Sequence, residues 1–231
     1  MTFQNRNDAG LRLAKKLRAY AGRDDVLVLG IPRGGVPVAF HVAAELGAPL
    51  DVFVVRKLGA PSQPELAFGA IASGGIRIID AQIVEAMEIS QAQIERIVEE
   101  EQRELHRREH AYRGGRAPLK LEGKTVILVD DGIATGASTR AAIAALRQLK
   151  PARIVLAAPV APASTCRGLK GEIDDLICLH TPETFYAIGE FYEDFSQVPD
   201  EEVTTLLALN NKRFGNGTGT NSGSIRKGAH P

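Results

Sequence analysis

The chain has 231 residues, 44% hydrophobic and 24% charged, the proportions of an ordinary globular protein with room for one α/β domain and appendages. Its 28 Lys and Arg balance 28 Asp and Glu, which excludes a global field for holding nucleic acid, so an anion must be bound locally. Two cysteines make no disulfide framework, no apolar run is long enough to cross a bilayer, and MTFQNRNDAG does not read as a signal peptide, so a cytoplasmic protein is expected.

Residues 8–21 carry Leu11, Leu13 and Leu17 against a polar face and predict an amphipathic helix. DVLVLGI (25–31) is a short β-branched apolar run, a buried strand. GVPVAFHVAAELG (35–47) then reads as a helix closed by Gly47, and LDVFVVRK (50–57) as a second buried strand, a β-α-β unit of a parallel sheet. Residues 58–80 are punctuated by Pro and Gly, with a hairpin hinged at Ser73-Gly74-Gly75. Residues 81–112 predict one long charged helix whose apolar stripe runs through Ile83, Val84, Met87, Ile94, Ile97, Val98 and Leu105. KTVILVD (124–130), RIVLAAPVA (153–161) and DDLICLH (174–180) are three more strands, with a helix over about 138–149 after the first. The expected fold is a doubly wound, mainly parallel five-stranded α/β sheet flanked by helices. It forms a single domain over 1–207, with a flexible excursion (58–80), the long helix (81–112), a C-terminal hood (181–207) and a disordered tail (208–231).

In such sheets ligands sit beyond the C-terminal ends of the strands. VILVDDGIATGAST (126–139) reaches that edge with two carboxylates, two glycines and three hydroxyls within ten residues. A helix starting near Ser138 offers unpaired N–H groups and partial positive charge to a phosphate. Gly132 and Gly136 let the backbone approach, and Thr135, Ser138 and Thr139 add hydroxyl donors. Asp130 and Asp131 are acceptors, suited to vicinal ribose hydroxyls or a hydrated Mg²⁺. The spacing reads as a ribose-5-phosphate site. GIATGAS lacks the lysine of a P-loop, and GIPRGG lacks the spacing of a dinucleotide motif.

This run of four apolar residues, two acids and Gly-x-Ala-Thr-Gly-x-Ser resembles the 5-phosphoribosyl-1-pyrophosphate (PRPP) signature of the type I phosphoribosyltransferases, and the order of elements extends the likeness over about residues 8–207. The resemblance implies Mg²⁺-dependent transfer of 5-phosphoribosyl from PRPP to a nitrogenous acceptor, usually a nucleobase, with release of pyrophosphate. Asp130 and Asp131 would hold the ribose hydroxyls and, through water, Mg²⁺. Gly132, Ala134, Thr135, Gly136, Ala137, Ser138 and Thr139 would hold the 5-phosphate. Arg33, Gly34 and Gly35 match the family's pyrophosphate loop, with a strained or cis peptide expected near Pro32-Arg33-Gly34. Arg56 and Lys57 match its flexible catalytic loop, Lys57 neutralising the departing pyrophosphate. Arg33, Lys57 and Asp131 are the catalytic candidates. Glu65 is a weaker acid-base candidate, since a lone loop Glu is more often solvated.

Five of twelve aromatic residues fall in TFYAIGEFYEDF (184–195), where the family carries a hood over the base. Phe185 and Tyr186 are the candidates to stack a heterocycle, against the blander reading of a satellite core. Ala134 stands where 6-oxopurine enzymes carry Asp, as in adenine and uracil types, whereas Arg33-Gly34-Gly35 resembles the xanthine-guanine loop, and the base stays open. His180 also ends at the rim. His106 and His110 read as surface residues, and Cys166 and Cys178 as packing residues. A non-catalytic PRPP or nucleotide-binding regulator is the alternative use of the same pocket. Homodimers are common in the family, and no membrane or nucleic-acid partner is expected.

Overall fold

The computed structural model describes residues 2–214. Five strands, β1 (Val26–Gly30), β2 (Leu50–Val52), β6 (Thr125–Val129), β7 (Arg153–Val160) and β8 (Asp175–His180), form an all-parallel sheet in the order β2-β1-β6-β7-β8. Gly30 registers with both Val52 and Val129, and Val160 with His180, so these strands finish along one rim. Along β6, Ile127 and Val129 join the core under helices α1 (Arg6–Lys16) and α2 (Gly35–Leu46). Val126 and Leu128 join the opposite core with Ile143 and Leu146 of α5 (Ala137–Gln148). Burial on both faces is why β1, β2, β6 and β7 read as unbroken apolar runs.

A second sheet, β3 (Val55–Ala60), β4 (Gln63–Ala72) and β5 (Ile76–Ile79), is antiparallel in the order β3-β4-β5, and the β4–β5 turn is Ser73-Gly74-Gly75. The expected single strand over 50–57 is therefore two. Parallel pairing stops after Val52, where the Phe53 N–H still donates to the Gly30 carbonyl (3.0 Å), and Val55 then pairs with Ala72. Phe53 and Val54 stay buried throughout, so hydrophobicity does not mark the change of partner.

The charged segment 81–112 is also two helices, α3 (Ala81–Ala86) and α4 (Gln91–Arg113). Glu88 adopts a positive φ (50°), and Ser90 begins α4 with a reciprocal capping box to Gln93. Ile94, Val98 and Leu105 of α4 are buried in the α1–α2 core, together with Leu58, Phe68 and Ile71 of the second sheet. A short helix, α6 (Ala163–Leu169), follows β7. Helix α7 (Asp200–Phe214) packs on α2, α4 and β2, and Asn210 bonds the Leu50 N–H (2.8 Å) and the Ala48 carbonyl (3.3 Å). The C-terminal part of the expected hood is thus a helix of the body. Residues 208–214 of the expected tail continue that helix, and the rest of the tail expectation lies outside the described residues. Among the described residues no helix is long and apolar enough to cross a membrane.

Candidate phosphoribosyl site

The β6–α5 loop leaves the rim at Asp130. Gly136 caps α5 in a left-handed conformation (φ 80°) with no side-chain capping bond, and Arg140 is the first residue whose N–H closes on the Gly136 carbonyl (2.8 Å). The N–H groups of Ala137, Ser138 and Thr139 therefore have no acceptor within the helix, which leaves an anion cradle at its positive end. Ala134, Thr135, Ala137 and Ser138 are exposed there. Thr139 is buried, which leaves its backbone N–H as its contribution to the cradle.

Continuing the alternation of β6, Asp131 falls on the α1–α2 side. Its Oδ2 accepts from Arg6 Nε of α1 at 2.7 Å, with both side chains nearly buried. Asp130 accepts its neighbour's N–H at 2.9 Å. Burial, and then the charge of Asp131, push the Asp130 carboxyl well above the ordinary carboxylate range. Burial raises Asp131 too, with the Arg6 guanidinium opposing it. A buried acid beside a partly buried one is costly unless something satisfies the pair.

The β1–α2 turn lies directly against these acids. The Pro32–Arg33 peptide is cis. A methyl group added at Gly34 would lie 1.9 Å from Asp131 Oδ2, and one at Gly35 would lie 2.7 Å from the Val129 carbonyl and 2.9 Å from Asp130 Cα. Arg33 is partly exposed, its Nη1 3.9 Å from Asp200 at the start of α7. Asp200 also accepts from the Tyr112 hydroxyl (2.7 Å), and burial followed by that bond push Tyr112 up to about 12.

Arg56 and Lys57, expected at the end of one strand and the start of a flexible loop, stand on β3 of the second sheet. Arg56 is forked onto Glu101 of α4 (Nε at 2.6 Å), and Lys57 pairs with Glu65 across the hairpin (2.9 Å). The aromatic cluster divides in two. Phe185 stacks on Phe191, whose ring also meets His180, each at 5.5 Å, and Tyr186 is 81% exposed. Tyr192 and Phe195 pack instead with Phe3, and the Tyr192 hydroxyl donates to the Asp131 carbonyl. The close neighbour of Gly132 is Ile188, whose Cγ2 would lie 2.4 Å from an added methyl group, so this glycine accommodates the 185–196 segment.

Sequence reading missed Arg6, Tyr192, Ile188 and Asp200, because only the tertiary fold brings them to the rim. A cavity of about 180 Å³ opens beside Arg6, lined by Asn5, Asn7, Pro37, Asp194 and Ser196 among others. A wider cavity of about 420 Å³ lies between the β4–β5 turn and the end of α4, lined by Ser73, Gly74, His106, His110, Arg113 and Arg116 among others, away from the acids.

An acidic strand end, an uncapped helix start and an arginine-glycine turn thus pack together on the rim of a parallel α/β sheet. The chain belongs to the phosphoribosyl transferase domain family, whose model matches residues 3–195. It is 42% identical over 229 residues to proteins of two Mycobacterium tuberculosis strains, CDC 1551 / Oshkosh and H37Rv, provisionally named phosphoribosyl transferases. The alignment covers 99% of this chain, which spans about half the length of those relatives. It is also similar to the crystal structure of TT1426 from Thermus thermophilus, with a TM-score of 0.80 and 40% identity over 90% of this chain and 99% of that one.

Proposed function

We propose that the rim binds PRPP and that the protein transfers its 5-phosphoribosyl group to a nitrogenous acceptor, of the nucleobase class, with release of pyrophosphate. The observation that carries this reading is the direct packing of the Arg33-Gly34-Gly35 turn on the Asp130-Asp131 pair, beside an uncapped helix start. A ligand held there would meet acceptors for a sugar diol and donors for phosphates on adjacent surfaces.

In this reading Asp130 and Asp131 accept from the ribose hydroxyls. The backbone N–H groups of the loop and the first turn of α5, with Thr135 and Ser138, hold the 5-phosphate. Arg33 and the N–H groups of its turn hold the pyrophosphate. The acceptor nitrogen forms a bond to the anomeric carbon as the bond to pyrophosphate oxygen breaks. The electron pair leaves on pyrophosphate and the proton leaves the acceptor. Charge neutralisation of the leaving group lowers the barrier, with Lys57 as the contributor from the second sheet. Lys57 would trade its exposed Glu65 partner for pyrophosphate, an exchange opposed by only about 0–1 kcal/mol. Among the described residues no set of three or more His, Cys, Asp or Glu could hold a metal alone. The adjacent carboxylates fit a hydrated Mg²⁺ that takes its other ligands from PRPP, and the ion would supply further charge neutralisation.

The engagement of Arg56 with Glu101 and of Lys57 with Glu65 favours the second reading, a regulator that binds PRPP without turnover. Calorimetric titration of PRPP with Mg²⁺, then a pyrophosphate-release screen over purines, pyrimidines and small amines, separates the readings. Binding with release for one acceptor is the expected result, and binding without release for any assigns the regulator. No binding overturns both.

A further inference from the structure

Arg6 opens α1, 125 positions from the acid it meets. Its Nε donates to Asp131 Oδ2 (2.7 Å), its Nη1 donates to the Ser196 carbonyl (2.7 Å), and its guanidinium lies 4.0 Å from the Phe195 ring centroid. The Oδ2 that Arg6 holds is the atom that faces Gly34 of the turn. The chain on either side is fixed to the same place. The Phe3 N–H donates to the Phe191 carbonyl and the Glu193 N–H to the Phe3 carbonyl, both at 2.8 Å, while Tyr192 donates to the Asp131 backbone. One guanidinium thus joins the second acid, the arginine-glycine turn and the aromatic segment. It occupies one oxygen of Asp131, whose carboxyl also lies against that of Asp130.

We propose that Arg6 is a positioning residue for the sugar end of the substrate, clamping Oδ2 of Asp131 against the Gly34 turn so that the second oxygen is presented to the ribose hydroxyls. The proposal rests on the PRPP reading given above. Two simultaneous N–H bonds with ring stacking need a planar fork, which lysine does not supply. Arg6 acts through Asp131 and not on the substrate.

The test is PRPP affinity by calorimetry and the KM and kcat of pyrophosphate release in Arg6→Ala, Arg6→Lys and Arg6→Gln, each with its thermal melting curve. Loss of one charge-assisted positioning contact is expected to raise Kd and KM for PRPP about 10-fold in Arg6→Ala, with kcat at saturation changed far less. Arg6→Lys recovers a minor part of the loss, and millimolar guanidinium recovers more in Arg6→Ala than in wild type. In an Asp131→Asn background the Arg6→Ala substitution produces no further loss of affinity. Lower melting temperatures with unchanged PRPP affinity in all three variants would make Arg6 a structural residue and overturn the proposal. Additive losses in the Asp131→Asn background would mean that Arg6 touches the substrate, and overturn it equally. Wild-type protein that binds no PRPP overturns the underlying reading along with it. Wild-type binding with Arg6→Ala unaffected overturns the role of Arg6 alone.

Discussion

Gly34→Ala isolates the packing that builds the site. Gly34 has ordinary right-handed dihedrals (φ −61°, ψ −31°), so alanine carries no backbone penalty there. Restricting the unfolded chain should by itself stabilise the variant by about 0.4–1 kcal/mol. Any loss must therefore come from contact. The new methyl group would stand 1.9 Å from Asp131 Oδ2 and 2.6 Å from its Cγ. If the carboxylate yields, the nearly buried Arg6 pair breaks, at roughly 3 kcal/mol. If the turn yields, the cost of overpacking is about 1–3 kcal/mol. Set against the entropic gain, a net loss of about 2 kcal/mol is expected, a fall in melting temperature of about 4–8 °C for a domain of this size. Gly171→Ala is the control, since nothing lies within 4 Å of its added methyl group. Thermal denaturation of both variants, followed by PRPP titration, is the assay. Gly34→Ala should melt several degrees below Gly171→Ala and bind PRPP more weakly. Equal melting of the two would refute the claim that the turn rests on the acid.

Gly132→Ala should lower stability by about 1–3 kcal/mol, mainly through its collision with Ile188, and the same change should cost much less in an Ile188→Ala background, where only Val160 at 3.2 Å must give. Additive losses in the double variant would disprove that coupling. Asp130→Asn should raise the melting temperature at neutral pH while abolishing PRPP binding. It removes a carboxylate held against the buried Asp131, and its amide oxygen can still accept the Asp131 N–H. A lower melting temperature with binding intact would contradict both halves.

The parallel sheet was legible because β1, β2, β6 and β7 are almost wholly buried and so appear as unbroken apolar runs, while the edge strand β8 is only partly buried. That same rule misled at 50–57, since Phe53 and Val54 remain buried while the chain passes from one sheet to the other. The break before α4 was written in the sequence as Ser90-Gln91-Ala92-Gln93, a capping pattern outweighed by the continuous run of charge around it. Helix α7 likewise opens with Asp200, Glu201 and Glu202 after Pro199, an N-terminal signature masked by its weak apolar stripe. The acidic strand end and the loop that leads into α5 were legible because they are local, a strand end followed by a helix start. Arg6 carries no such mark in a polar N-terminal stretch, and the Arg56 and Lys57 partners depend on how the second sheet meets α4.

The two glycine-bearing motifs therefore have a reason to occur together that does not depend on any ligand. Read singly, Gly34 and Gly35 leave room for a phosphate to approach the backbone. In the folded chain they leave room for Asp131 and for the backbone of Val129 and Asp130. The arginine turn and the acidic strand end are two halves of one packed surface, with Arg6 filling the third side. A side chain at either glycine would separate the acidic strand end from the arginine turn. Their spacing is thus set by internal packing before any ligand arrives, and under the PRPP reading proposed above this preorganisation would let positioning and electrostatics carry the rate enhancement.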